Sequence, residues 1–447
     1  MTPFDVSVQT LIIGAGACGL VAALAAHEAG QNVLVLERDA APAGSTALSA
    51  GLIPAAGTKV QRAAGIDDDP ARFAADIQAK AKGENDPALV DIMAKGAAPA
   101  IDWLADRFGL AFSVVDDFDY PGHSRRRMHG LPTRSGRELV DALRSAAEGA
   151  GIDIACTMRA TRLITDGRRV LGLEATRPDG ATERIGCDRL ILACNGYGGN
   201  AGLVRAHMPA IADALWFGHT GNDGDALRWG EDLGAATRHL GAYQGHGNVA
   251  HPHGILITWA TITEGGVQVN ADGQRFWDES QGYSEAARAV LAQPGGTAWA
   301  IFDARIATIA RQFADFQDAE AQGAVRAADD IAGLAAVTSL PEPALRAEME
   351  GIPATGPDRF GRMFDGRALS PPYRAVRVTG ALFHTQGGLV VDENARVLDA
   401  DARPFPNLFA GGGAACGVSG AGDAGYLSGN GLLAAVVLGR AAGMAGG

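Results

Sequence analysis

The spacing of apolar and polar positions changes period several times along the chain. Val6 to Ile13 (VSVQTLII) is a short run that ends apolar and predicts a β-strand. The glycine-rich GAGACG follows, the alanine-rich stretch Leu20 to Gly30 predicts a helix, and Asn32 to Leu36 predicts a second strand. This order is one βαβ unit. Helical periods recur over Pro70 to Lys82, Pro87 to Phe108 and Gly136 to Gly149, each opened by a residue suited to a helix start. A β-rich stretch covers Ile152 to Leu173 and Arg184 to Cys194.

From about Tyr243 to Gly380 the texture changes. Histidine, tryptophan and glycine become frequent, and alanine-rich helices are expected at Ser284 to Ala292 and Asp303 to Ala321. The tail from Ala381 returns to strand, glycine loop and helix. These changes predict one domain in two pieces, residues 1–242 and 381–447, with residues 243–380 inserted as a second domain. A ligand cleft is expected where two such bodies meet.

Composition narrows the classes. A chain of 447 residues, 47% hydrophobic and 20% charged, has enough apolar surface for a sizeable core. Its net charge of -13 comes with no basic run longer than Arg125 to Arg127, which argues against nucleic acid as a partner. That short run reads as a solvated turn or as a contact for a substrate carboxylate. Five cysteines (Cys18, Cys156, Cys187, Cys194, Cys416) form no CxxC pair, and His251-Pro252-His253 lacks an evident third ligand, so no metal is expected. The cysteines read as buried fillers in a reducing compartment. No signal-peptide pattern opens the chain, and Leu432 to Leu438 is far shorter than the roughly 20 residues that span a bilayer. A cytoplasmic location is expected.

Chemistry enters with the glycines. Gly14, Gly16 and Gly19 fill the three positions of GxGxxG between a strand and a helix. The first allows the tight turn, the second lets backbone approach a pyrophosphate, and the third lets helix pack on strand. Glu37 ends the second predicted strand, 18 residues after Gly19, where an acid can hold ribose hydroxyls. This unit alone does not separate FAD from NAD. The small and hydroxyl residues of APAGSTALSAG (Ala41 to Gly51) form a backbone-rich loop able to lie along a diphosphate or flavin.

The order of motifs resembles the fumarate reductase, succinate dehydrogenase and 3-ketosteroid dehydrogenase flavoproteins. It comprises the GxGxxG, the GSTALSAG loop, LILACNGYGGN at Leu190 to Asn200, His384-Thr385-Gln386-Gly387-Gly388-Leu389 running to Asp392, and the terminal glycine loop and helix from Asn407 to Gly443. The resemblance implies an α/β fold: a Rossmann-like, glutathione-reductase-type FAD-binding domain with an inserted α+β capping domain. It implies cofactor contacts from Gly14, Gly16, Ala17, Gly19, Glu37 and Arg38, and from Gly44, Ser45, Thr46, Ser49 and Gly51. Further contacts are expected from Ala160, Asn195, Gly196, Gly412, Asn430 and Leu432. Members that bind FAD covalently carry a histidine before the threonine of the early loop. Ser45 stands before Thr46 here, so the FAD is expected to be non-covalent.

At two positions the chain departs from the fumarate reductase pattern. Tyr283, after Gly273-Gln274-Arg275-Phe276-Trp277-Asp278-Glu279, falls where that pattern has the proton-delivering arginine. Tyr426 falls where it has a carboxylate-gripping arginine. His246 and His384 match two binding histidines. The paired tyrosines look like 3-ketosteroid dehydrogenase, which implies Tyr283 as base toward a carbon next to a carbonyl and Tyr426 as donor to that carbonyl. Tyr120, in Phe118-Asp119-Tyr120, is a third candidate phenol. The expected function is an FAD-dependent dehydrogenase or desaturase of a cyclic ketone. It would pass electrons to oxygen, a quinone or an electron-transfer protein. A reductase of an unsaturated carboxylic acid and an inactive flavin-binding sensor remain as alternatives.

Overall fold

In a computed structural model, residues 4–116 and 120–446 are described. The chain divides into two compact units. The first takes residues up to His207, Gly218–Tyr243 and everything from His384; the second takes Met208–Phe217 and Gln244–Phe383.

The first unit opens with β1 (Val6–Ile13), α1 (Ala17–Glu28) and β2 (Val33–Leu36), followed by α2 (Pro87–Phe108) and α3 (Gly136–Gly149). The strands β3 (Asp153–Ala155), β4 (Arg159–Asp166), β5 (Arg169–Thr176) and β6 (Thr182–Leu192) come next. The second unit holds β7 (Tyr243–Ala250) from Gln244 on, α4 (Tyr283–Leu291), β8 (Thr297–Asp303) and β9 (Tyr373–Thr385) as far as Phe383, the elements that matter for function. The tail supplies β10 (Arg396–Leu398), β11 (Pro404–Ala410) and α5 (Asn430–Met444) to the first unit.

The main sheet of the first unit runs β10-β11-β6-β1-β2-β3, with β5 also paired to β6 and β4 to β5. β1 lies parallel to both β2 and β6, Ile13 pairing with Leu36 and with Leu192. The last four residues of β1 are buried, as a central parallel strand requires. The helix predicted from Leu20 begins three residues earlier, at Ala17, and is buried through Ala26 because it packs against α5. Glycine makes that approach close: a Cβ on Gly439 would lie 2.6 Å from the Cys18 carbonyl oxygen. Helices at Pro70–Lys80, α2 and α3 start where proline and cap residues place them; Asp69, Asp86 and Ser135 each accept a first-turn N–H.

The second unit is built on a seven-stranded sheet in which β9 pairs with β7 and, antiparallel, with β8 from Thr297↔Thr379 to Asp303↔Tyr373. The short strand Leu215–Trp216 also pairs with β9, which is why Met208–Phe217 belongs to this unit and not to the first. The single helix expected at Asp303 to Ala321 is two, Ala304–Ala310 and Ala314–Ala321, broken at residues 311–313.

Candidate functional site

The turn between β1 and α1 separates the three glycines by role. Gly14 has φ +103°, and a Cβ there would sit 2.5 Å from the Ala193 carbonyl oxygen; on Gly19 it would run into the Gly14 carbonyl. These two are required by the chain itself. At Gly16 the nearest atom to a Cβ is Thr46 Oγ1 at 3.5 Å, so the space before it is open. Gly16 is also the N-cap of α1, with no side-chain cap and no acid in the first turn. Open space before a helix N-terminus suits an anionic diphosphate. Glu37 is buried and accepts the N–H groups of Ala15 and Asp39, each at 2.9 Å. A carboxylate has about four lone-pair sites, so two remain for ribose hydroxyls.

The early loop closes on this turn. Ala17 N–H donates to Thr46 Oγ1 at 3.1 Å, and a Cβ on Gly44 (φ +54°) would meet only Gly16 Cα at 3.9 Å. Ser45 Oγ accepts from Asn195 Nδ2 (3.0 Å) and Asn222 Nδ2 (2.9 Å). Ser49 Oγ donates to the Thr46 carbonyl and accepts from Gly51 N–H. Asn195, at φ +66°, accepts from Gly196 N–H, and Gly412 (φ +57°) faces Cys18. Ala160 is buried opposite Ala175 on β4, Leu432 is half-buried on α5, and Arg38 is paired with Asp223 at 3.0 Å. Asn222 and Asp223 carried no motif in the sequence and enter only through these contacts. The cradle suits FAD: its donors are backbone N–H groups for a diphosphate, and its acid suits a ribose. Gly16→Val is expected to lose most of the bound flavin, because the side chain fills the diphosphate's place. Absorbance of the purified variant checks this; full retention would mean that Gly16 serves only the turn.

His384 and Tyr426 come together in the first unit, their rings edge to face at 5.4 Å. The Cε1–Nε2 edge of His384 lies against Gly431, where a Cβ would come within 2.9 and 3.0 Å of those atoms. Burial pushes the His384 imidazole down to about 4, and no charged group contributes. Tyr426 is pushed up by burial, and the backbone N–H groups of Gly429 and Gly431 hydrogen-bond its oxygen. Gly429 is the N-cap of α5 and no side-chain cap follows from it, so the phenol serves that helix start. With N–H groups on its oxygen, the neutral phenol is a hydrogen-bond donor.

His246 and Tyr283 come together in the second unit. Their rings stack at 5.1 Å and 19°; Phe383 stacks on the same imidazole at 5.6 Å, and Trp259 meets it edge-on at 5.7 Å. Burial alone pushes His246 down to about 3. Its Nδ1 accepts from Asn248 N–H at 3.2 Å, which leaves the ring proton on Nε2. Tyr283 is placed by the turn before it. Arg275 pairs with Glu279 and, at 2.5 Å, with Asp358, and Arg362 reaches Glu279 at 3.1 Å, all with nearly fully buried side chains. Glu279 opens a 3-10 turn, Gly282 takes φ +130°, and α4 starts at Tyr283.

The remaining candidates come from other segments of the chain. Tyr120 packs on Leu52, Val115 and Met128, while Phe118 and Asp119 lie outside the described residues. The run Arg125 to Arg127 is not a uniform solvated turn: Arg127 is fully buried, bound to Asp68 at 3.0 Å and to Asp76 at 2.5 Å, and so is not available to a substrate carboxylate. His123, missed in the sequence, donates from Nε2 to the Ser428 carbonyl at 3.0 Å, two residues from Tyr426. All five cysteines are free; Cys156 and Cys194 are half-buried rather than buried. Among the described residues no group of three metal-binding side chains forms, and no helix is long and apolar enough to cross a membrane.

Burial pushes four imidazoles down from their ordinary value, His123, His129 and His384 to about 4 and His246 to about 3. Unfolded imidazoles take up protons at about 6.5. Between these values the unfolded chain binds more protons, so stability rises with pH and is lost on acidification. Each histidine contributes a slope of about 1.4 kcal/mol per pH unit over that window. Urea unfolding is therefore expected at a lower midpoint at about pH 5 than at about pH 7; equal midpoints would show that these rings are not buried neutral.

A diphosphate cradle where the parallel strands β1 and β2 meet α1, with an acid placed for a ribose, defines a dinucleotide-binding fold. Residues 9–432 match the family model for the FAD binding domain, and the chain belongs to that family. It is an FAD-dependent oxidoreductase. It is 33% identical over 97% of its length to the Shewanella frigidimarina protein named "Probable fumarate reductase Ifc3", covering 74% of that protein. Its structure is similar to the open conformation of a flavocytochrome c3 fumarate reductase, with TM-score 0.84 and 31% identity over 98% of this chain and 78% of that one. The fold is also similar to a 3-ketosteroid-delta4-(5alpha)-dehydrogenase of Rhodococcus jostii RHA1, with TM-score 0.78 and 24% identity over 99% and 97% of the two chains.

Proposed function

We propose that the enzyme interconverts a saturated ketone and its α,β-unsaturated partner, with desaturation of a cyclic ketone the favoured direction. What supports this reading is the make-up of the His384–Tyr426 contact: the two rings meet edge to face, burial is the main cause of both their shifts with no charged side chain among the causes, and backbone N–H groups on the Tyr426 oxygen leave its own hydrogen to donate. A ketone oxygen needs only such donors. A carboxylate brought to the same place would lose its hydration without gaining a cation, which costs several kcal/mol.

When bound, the flavin supplies the hydride acceptor. Tyr426 donates to the substrate carbonyl oxygen and stabilises the charge that develops there. Tyr283, as its deprotonated phenolate, takes the proton from the carbon next to the carbonyl, and hydride departs from the neighbouring carbon as the double bond forms. The carbonyl is what makes the step feasible, because a hydrogen-bonded ketone acidifies its α-carbon toward the range of a phenol, about 10. His246, with its proton on Nε2, packs flat on the base and fixes its ring. The five unpaired cysteines suit a reducing, cytoplasmic setting, with oxygen, a quinone or an electron-transfer protein taking the electrons.

A second reading, reduction of an unsaturated carboxylic acid, is favoured by the 33% identity to a protein named as a fumarate reductase. Product analysis separates the two. With an artificial electron acceptor, a cyclic ketone should yield an enone whose new double bond adjoins the carbonyl. Reduction of fumarate by a reduced viologen, with no enone from any ketone, would replace the first reading with the second.

A further inference from the structure

Behind His384 lies a file of polar side chains that the proposed reaction does not use. Asn430 Nδ2 donates to Ser419 Oγ at 3.3 Å, Ser419 Oγ donates to Gln386 Oε1 at 2.7 Å, and Gln386 Nε2 stands 3.1 Å from His384 Nδ1. Asn430, Ser419 and Gln386 are 0%, 1% and 5% exposed. The backbone of Gln386 is fixed on both sides: its N–H donates to the Ala242 carbonyl, and its own carbonyl accepts from Gly417 N–H, each at 2.8 Å.

The file has one direction. An amide nitrogen only donates, so Ser419 Oγ accepts from Asn430 and its hydrogen goes to Gln386 Oε1. The other end of the Gln386 amide is then an N–H aimed at the imidazole. That N–H needs a lone pair on Nδ1, which puts the ring proton on Nε2. The Thr385 carbonyl, 3.3 Å from the same Nδ1, asks for the opposite tautomer but is the longer contact. Burying and ordering three polar side chains costs free energy that apolar residues of similar size would avoid. What the file gains is a defined proton position.

We propose that Ser419 and Gln386 are positioning residues that hold the His384 proton on Nε2 and so make the ring, beside Tyr426, a second hydrogen-bond donor to the substrate oxygen. The donor role rests on the carbonyl reading above; the position of the proton does not. Nitrogen-15 NMR of the flavin-loaded enzyme, with labelled histidine and the His384 signals assigned by loss in His384→Gln, reads the tautomer directly. In the wild type, Nε2 should carry the proton and Nδ1 should not.

Gln386→Glu presents an oxygen that only accepts, so Nδ1 should become protonated. Turnover should fall roughly 10- to 100-fold, by analogy with the loss seen when a partner that orients a metal-bound imidazole is removed, with flavin content unchanged. Ser419→Ala should leave a mixture of tautomers, and Ser419→Thr, which keeps the hydroxyl, should restore the wild-type signals and rate. A wild-type Nδ1 that carries the proton, or His384 signals unmoved in both Gln386→Glu and Ser419→Ala, would overturn the proposal. Signals that behave as expected in an enzyme that no ketone reduces would instead retire the carbonyl reading and leave the file's function in place.

Discussion

Tyr283→Phe is expected to slow reduction of the flavin by a ketone by roughly two to four orders of magnitude, the range for loss of a positioned acid–base group. The phenyl ring preserves the stack on His246 and the contact with Trp259, so folding and flavin content should be unchanged. Substrate affinity should change little, because the base contacts a C–H bond rather than the carbonyl. Anaerobic stopped-flow measurement with an accepted ketone gives both numbers from one titration. A near-wild-type reduction rate would remove Tyr283 as base and transfer that role to another group on the second unit.

Tyr426→Phe has a different signature. The hydrogen bond to the carbonyl exists in the ground state and strengthens as negative charge develops, so both binding and rate should suffer. Loss of one such donor costs on the order of 100- to 1000-fold in rate. The variant also strips the acceptor from the N–H groups of Gly429 and Gly431, at a cost of about 1–2 kcal/mol in stability. Thermal unfolding should register that loss in the absence of substrate. A variant with full stability and only a weakened Kd would mean that the phenol does not serve the start of α5.

The contrast between these variants follows from how the two tyrosines are held, and that was only partly legible in the sequence. The glycine turn, the acid Glu37 and the helices beginning at Pro70, Pro87 and Gly136 were readable because their signals are local: a φ that glycine favours, a cap, a proline at the first turn. The break between Ala310 and Ala314 was not, since residues on both sides are alanine-rich and neither glycine nor proline marks it. Arg127 looked exposed in a basic run, yet its partner Asp68 lies 59 positions away and takes it into the core. Likewise, His384 was visible as a motif residue, but the hydroxyl that orders its neighbour Gln386 comes from Ser419, 33 positions later. The aromatic surround of His246 gathers Trp259, Tyr283 and Phe383 from separate segments. Partners that meet only through tertiary packing leave no period in the sequence.

The claim that the site takes a neutral carbonyl compound is tested most directly by anaerobic mixing of the yellow, oxidised enzyme with cyclic ketones and, separately, with saturated dicarboxylates. The flavin absorbance should bleach with a ketone and stay unchanged with every dicarboxylate. Bleaching by a dicarboxylate alone would contradict the account in favour of acid chemistry, and bleaching by neither would leave a flavin-binding protein without this catalysis.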